Sequence, residues 1–402
     1  MFGLVLEGGG ARGAYHIGAY KAIKELDIEI GGIAGTSIGA INGAMMVQGD
    51  YDLLEKVWLS VDSYELFDID EKTIEDLKHF NLQSINFSYL LHQSKEILSN
   101  RGLDTSRIRE LFDDYIDENK IRSSNIDFGI VTYNLTDKKP MELLKEDIPK
   151  GKLVDFLIAS ANLPAFRIEE MDGKKYLDGG FYNNLPIDIL ANKGYKNIIA
   201  VRTLAMGIIR KAKIKDLNIT FIQPVESLGS MLGALDFNKE RAEEYINLGY
   251  YDAMKVFKKL KGFKYYCIPF EGNFINILTN FYYEYKEKLC YIGHFLGYDE
   301  VCEDRMFFEK ILPRLESILD MKGKNDYQDI CIRFFERIAE KYGVERFKIY
   351  KAEEFVELTI EKFRENPTAF IKNVPNFIKQ NRILSLAVKD DLIVEIFAEL
   401  FL

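Results

Sequence analysis

The sequence predicts an α/β fold, a three-layer α/β/α sandwich, followed by a mainly helical C-terminal region. Three observations predict it. Short apolar strands alternate with helical periodicity through the first half, two glycine-rich turns lie within the first forty residues, and the composition changes near residue 261. With 402 residues, of which 47% are apolar, the chain can bury a sizeable core and is expected to divide into domains 1–260 and 261–402.

The elements follow in order. Phe2-Gly3-Leu4-Val5-Leu6 reads as a short buried strand, and after a glycine-rich turn residues 14–26 can wind as a helix. Residues 30–49 carry no charge, yet they hold six glycines with Thr36, Ser37, Asn42 and Gln48, so a strand, a tight turn and a small-residue helix explain them better than a membrane span. Residues 59–111 interrupt the alternation with Phe67, Phe80, Phe87 and Tyr89 among polar residues, as a cap or lid over a cleft or as a plain insertion. Strands are expected over 129–135, 197–201 and 218–223, and helices over 153–161, 187–193 and 240–260. Beyond 261, Tyr265, Tyr266, Phe270, Phe274, Phe281 and Tyr282 open a dense aromatic run, which reads as a domain core or as a membrane-facing surface.

Three motifs carry chemistry. Gly8-Gly9-Gly10-Ala11-Arg12-Gly13 lies between a strand and a helix, where backbone N–H groups point at whatever anion sits there. Gly35-Thr36-Ser37-Ile38-Gly39 matches the G-x-S-x-G nucleophile elbow, which holds a serine hydroxyl clear of the backbone. Asp178-Gly179-Gly180 comes far downstream. Gly8, Gly10 and Gly13 also satisfy G-x-G-x-x-G, so a nucleotide-binding module is a competing reading. It lacks its acidic partner, because Asp27 and Glu29 precede a glycine pair instead of closing a second strand.

The serine needs a base. Of the four histidines, His16, His79 and His92 precede Asp178, and only His294 follows it as a Ser–Asp–His order demands. Asp178 can act directly if its carboxylate reaches Ser37. An aspartate in water titrates at about pH 3.9 and is a poor base, so Asp178 would need a partly desolvated setting to do so.

On these three motifs, with Asn183-Asn184-Leu185-Pro186 after the third, the chain resembles the bacterial patatin-like phospholipases. The likeness covers roughly residues 1–260 and departs from many relatives in having Glu7, not Asp, before the first glycines. It implies a patatin-like sandwich in which Ser37 is the nucleophile and Asp178, with Gly179 and Gly180, its base. It also implies an oxyanion hole drawn from Gly8, Gly9, Gly10, Ala11, Arg12 and Gly13, and an elbow shaped by Gly35 and Gly39. The implied reaction is acyl transfer from a phospholipid or lysophospholipid through an acyl-enzyme, with no cofactor and no metal. A carboxylesterase or acyltransferase on smaller esters, and a non-catalytic lipid-binding module, are the alternatives. Arg12 could meet a phosphate head group or tie its turn to a carboxylate.

Composition narrows the setting. Cys267, Cys290, Cys302 and Cys331 are scattered without C-x-x-C or a histidine cluster, as expected of buried thiols in a reducing compartment and not of a zinc site. No basic, cleavable apolar leader opens the sequence, so a cytoplasmic protein with peripheral membrane contact is expected. The net charge of −10 disfavours nucleic acid and would repel an anionic bilayer at long range, while the basic run 210–215 is either a solvated face or an attractor of phosphate head groups.

Overall fold

The computed structural model describes residues 1–63, 66, 105–164, 166, 170–229, 235–298, 304–365, 367 and 386–402. The chain divides into two compact units, Met1–Val256 and Phe257–Leu402.

The first unit is built on a mixed eight-stranded sheet flanked by helices. Its strands are β1 (Phe2–Leu6), β2 (Ile30–Thr36), β3 (Asp127–Asn134), β4 (Lys139–Leu144), β5 (Glu170–Met171), β6 (Lys174–Asp178), β7 (Asn197–Val201) and β8 (Asn218–Ile222). The order β5-β6-β3-β2-β1-β7-β8, with β4 also on β3, puts β1 between two parallel neighbours. Leu4, Val5 and Leu6 are accordingly buried completely, as in a strand covered on both faces. Helices α1 (Ala14–Glu25), α2 (Ile38–Gln48), α3 (Tyr51–Ser60), α4 (Ser106–Tyr115), α5 (Glu118–Ser123), α6 (Leu153–Ser160), α7 (Ile187–Asn192) and α8 (Lys239–Lys258) provide the covering layers.

The antiparallel strands β4 to β6 do not follow from the alternation, and they matter. Strand β3 pairs with β2 as far as Thr36↔Val131 and then with β6 from Thr132↔Asp178. Successive residues of one strand thus line up the end of β2, just before Ser37, with the end of β6, at Asp178.

The second unit is mainly helical, with a two-stranded parallel sheet, β9 (Tyr266–Ile268) and β10 (Ile349–Lys351). Much of the aromatic run forms its core: Tyr265, Tyr282, Phe307, Phe335, Phe355, Phe363 and Phe397 are buried together. Tyr283 and Tyr291 are exposed. One expectation needs correcting: Cys290 is disulfide-bonded and only Cys267 and Cys331 are free among the described residues, so the cysteines are not uniformly reduced thiols. No helix among the described residues is long and apolar enough to cross a membrane.

Candidate active site

The glycine turn follows β1 and the elbow follows β2, and these strands pair in parallel up to Leu6↔Gly35. Both turns therefore open at the carboxyl ends of adjacent strands, where ligands bind in α/β sheets. Ser37 sits between β2 and α2 with φ 57° and ψ −128°, a sparsely populated conformation that stores about 1–3 kcal/mol. The sharp turn demands glycine behind it. A side chain at Gly39 would place its Cβ 2.4 Å from the carbonyl oxygen of Leu6. Gly179 is fixed for the same reason, since a Cβ there would come within 2.2 Å of the Val131 carbonyl oxygen.

Asp178 is 3% exposed, and its carboxylate accepts the Ser37 hydroxyl and, at 2.6 Å, the Gly180 N–H. Burial pushes its pKa up to about 6, against the lowering effect of those two hydrogen bonds. Among the described residues no histidine joins them. The described residues lining the surrounding cavity include none, and His16 is buried on α1, its Nδ1 3.3 Å from the Asn42 amide and its pKa lowered to about 3 by desolvation. His294 lies in the last turn of the helix Lys286–Phe295 in the second unit, while His79 and His92 fall outside the described residues.

The residues of the first turn do not play equal parts. Gly8 N–H donates to the Asn184 carbonyl at 3.2 Å and Arg12 N–H to the Gly9 carbonyl at 3.4 Å, so neither is available to a ligand. Gly13 caps α1 and does not line the cavity. The N–H groups of Gly9, Gly10 and Ala11 precede the first bond of the 3-10 turn Gly10–Gly13, which gives them no partner inside it. Gly9 and Gly10 line the cavity. The Arg12 side chain is buried and donates from Nε to the Leu228 carbonyl at 2.8 Å, so it ties the turn to backbone as well as bordering the cavity.

Several supporting residues escape a reading of the sequence. Ser160, at the end of α6, accepts the Ser37 N–H at 3.0 Å and donates to the Val131 carbonyl at 2.6 Å. Asp178 N–H donates to the Asn162 carbonyl at 2.8 Å. Glu7, fully buried, accepts the N–H groups of Thr203 at 2.7 Å and Leu204 at 3.0 Å, and Thr203 in turn donates its hydroxyl to the Gly8 carbonyl at 2.7 Å. Burial raises the Glu7 pKa, opposed by Arg202 at 3.6 Å and the two N–H groups. No spacing rule singles out a serine at a helix end or a threonine after a strand.

The cavity before Ser37 and Asp178 measures about 570 Å³, within the range of small-molecule sites. Its wall is largely apolar, with Ile41, Met45, Leu54, Trp58, Phe112 and Phe166. Most of the expected cap, residues 59–111, lies outside the described residues; from that stretch Val61, Leu66, Thr105, Ile108 and Leu111 line the cavity.

Residues 4–191 match the family model described as patatin-like phospholipase. Neuropathy target esterase sws of Drosophila melanogaster is 31% identical over 202 residues, 50% of this chain and 12% of that protein. Patatin-like phospholipase domain-containing protein 7 of Rattus norvegicus is 29% identical over 202 residues, 49% of this chain and 13% of that one. The chain thus spans about an eighth of the length of these relatives. Among solved structures, VipD from Legionella pneumophila aligns with 14% identity and a TM-score of 0.39, covering 100% of this chain and 91% of its own. The type III effector ExoU aligns with 14% identity and a TM-score of 0.32, covering 91% and 75%.

Proposed function

We propose, from the premise that residues 4–191 belong to the patatin-like phospholipase family, that this chain hydrolyses carboxylic esters of phospholipids or lysophospholipids through a Ser37–Asp178 dyad. The observation that carries the reading is the Ser37 hydroxyl bonded to a buried carboxylate in the wall of a large apolar cavity. Asp178 takes the hydroxyl proton as Ser37 Oγ attacks the ester carbonyl. The N–H groups of Gly9 and Gly10, with Ala11 beside them, meet the oxyanion, a contribution of about 3 kcal/mol per preorganised donor. As the tetrahedral intermediate collapses, Asp178 returns the proton to the departing alcohol. Water then attacks the acyl-enzyme with Asp178 again as base, releasing the fatty acid and restoring Ser37.

A raised carboxyl pKa suits this work, because a stronger base takes the serine proton more readily while a pKa of about 6 still leaves the group ionised at neutral pH. The apolar wall suits an acyl chain. The test is fluorophosphonate labelling of wild type, Ser37→Ala and Asp178→Asn, with fatty-acid release from phosphatidylcholine and its lyso form. Labelling and release that both vanish in the two variants support the dyad. A wild type that neither labels nor releases fatty acid, with lipid interfaces present, would overturn the reading.

A further inference from the structure

One wall of the cavity reaches the protein surface as an unusual segment. Met206 and Ile208 line the cavity, yet Met206 is 56%, Ile208 39% and Ile209 43% exposed. Of the large apolar side chains exposed among the described residues of the first unit, all but Met1 fall within residues 206–225. These side chains sit on a fixed backbone. Ile208 N–H donates to the Gly180 carbonyl at 2.9 Å, Asn184 N–H to the Ile208 carbonyl at 2.7 Å, and Arg210 Nε to the Tyr182 carbonyl at 2.9 Å. The same turn that carries Asp178 therefore anchors the exposed segment.

Cations follow at once. Arg210, Lys211, Lys213 and Lys215 are all exposed, and none is in a salt bridge among the described residues. Exposure alternates from Lys211 to Lys215, and the Lys213 N–H is held by the buried Asp188 at 2.9 Å while Ala212 packs inward against the apolar cluster of Leu185 and Leu190. The three lysines are thus exposed on either side of the inward-packed Ala212 and the half-buried Ile214. Asp216 is the carboxylate that adjoins the run. On a chain of net charge −10, four adjoining cations beside an exposed apolar strip are a local inversion of sign.

We infer that residues 206–215 form the surface by which this chain docks on an anionic phospholipid bilayer, with Met206, Ile208 and Ile209 entering the interface and Arg210, Lys211, Lys213 and Lys215 meeting the head groups. An apolar side chain gains by leaving water for the acyl boundary, and each cation near an anionic surface adds its own attraction. Docking by this segment would set the cavity mouth against the lipid, so that an acyl chain could pass from bilayer to cavity without crossing water. The inference deepens the hydrolase reading and rests on it for its purpose.

Its test does not depend on turnover. The 402-residue chain carrying Ser37→Ala is titrated with phosphatidylcholine vesicles and with phosphatidylcholine–phosphatidylglycerol vesicles, at low and high salt, and compared with the same chain carrying Lys211→Glu, Lys213→Glu and Lys215→Glu together. Thermal unfolding of each protein checks the fold, and the three lysines changed to Gln serve as a milder set. Preference for the anionic vesicles is expected, weakened about 100-fold by charge reversal. Ile209→Asp is expected to weaken the part that survives high salt several-fold. Equal binding to both vesicle types, or charge-reversed or Ile209→Asp protein that is folded and binds like its parent, would overturn the docking surface. Loss of the hydrolase reading alone would show as anionic binding without fatty-acid release from wild type.

Discussion

Ser160 holds Ser37 from behind, accepting the Ser37 N–H at 3.0 Å while donating its own hydrogen to the Val131 carbonyl at 2.6 Å. The elbow is thereby tied to the strand that also aligns Asp178, through Thr132. Ser160→Ala should leave the Ser37 N–H without its partner inside the protein and lower stability by about 1–3 kcal/mol. Because the strained serine then loses its anchor, the rate of fluorophosphonate labelling should fall at least several-fold while the cavity remains. Chemical denaturation and labelling kinetics on the same protein check both. Unchanged labelling would remove Ser160 from the positioning of the nucleophile.

The Asp178 carboxyl, with its pKa pushed up to about 6 by burial, predicts opposite trends for activity and stability. In the proposed dyad its ionised form is the base, so labelling and turnover should rise with pH and reach half their plateau near pH 6. Stability runs the other way. The folded state binds the proton more tightly than the unfolded chain, so this group lowers stability as pH climbs from about 4 through 6, by about 3 kcal/mol in all. Asp178→Asn should therefore be inactive yet no less stable than wild type at pH 8. A variant that unfolds several kcal/mol more easily at that pH would contradict the cost assigned to the buried charge.

The motifs and the alternation are legible in the sequence because each rests on local chemistry. Gly39 and Gly179 are required by carbonyl oxygens of Leu6 and Val131 that a Cβ would strike, and the sequence displays both glycines. Long-range pairing is not legible. The hand-over of β3 from β2 to β6 joins residues far apart in sequence, and nothing local to Lys174–Asp178 announces an antiparallel strand. The unequal roles within the first turn are hidden for a similar reason. Whether Gly8 N–H is free depends on the carbonyl of Asn184, which reaches it only in the folded chain.

Glu7 stands just before the glycine turn, fully buried, and its side chain has defined work. Its carboxylate gathers the N–H groups of Thr203 and Leu204, and Leu204 itself stands at φ 52°. Glu7→Ala strands both N–H groups in a buried place and should cost about 2–4 kcal/mol, with a loss of labelling rate because Thr203 also bonds the Gly8 carbonyl. Glu7→Gln keeps an acceptor oxygen and should retain most of both. If the Gln variant proves as damaged as the Ala variant, the negative charge beside Arg202 matters more than the hydrogen bonds.

A two-residue mechanism makes its sharpest prediction at a histidine. His294 is the one histidine placed after Asp178 in sequence, but it ends a helix of the second unit, and no histidine is among the described residues lining the cavity that holds Ser37 and Asp178. The Ser37 hydroxyl already has its acceptor in Asp178, so an imidazole has no proton left to take. His294→Ala should keep turnover and labelling within about two-fold of wild type, whereas a working triad typically loses about three or more orders of magnitude when its histidine is removed. Parallel kinetics on His294→Ala and Asp178→Asn separate the two. A folded His294→Ala protein as inactive as Asp178→Asn would restore the triad and reduce Asp178 to an orienting role.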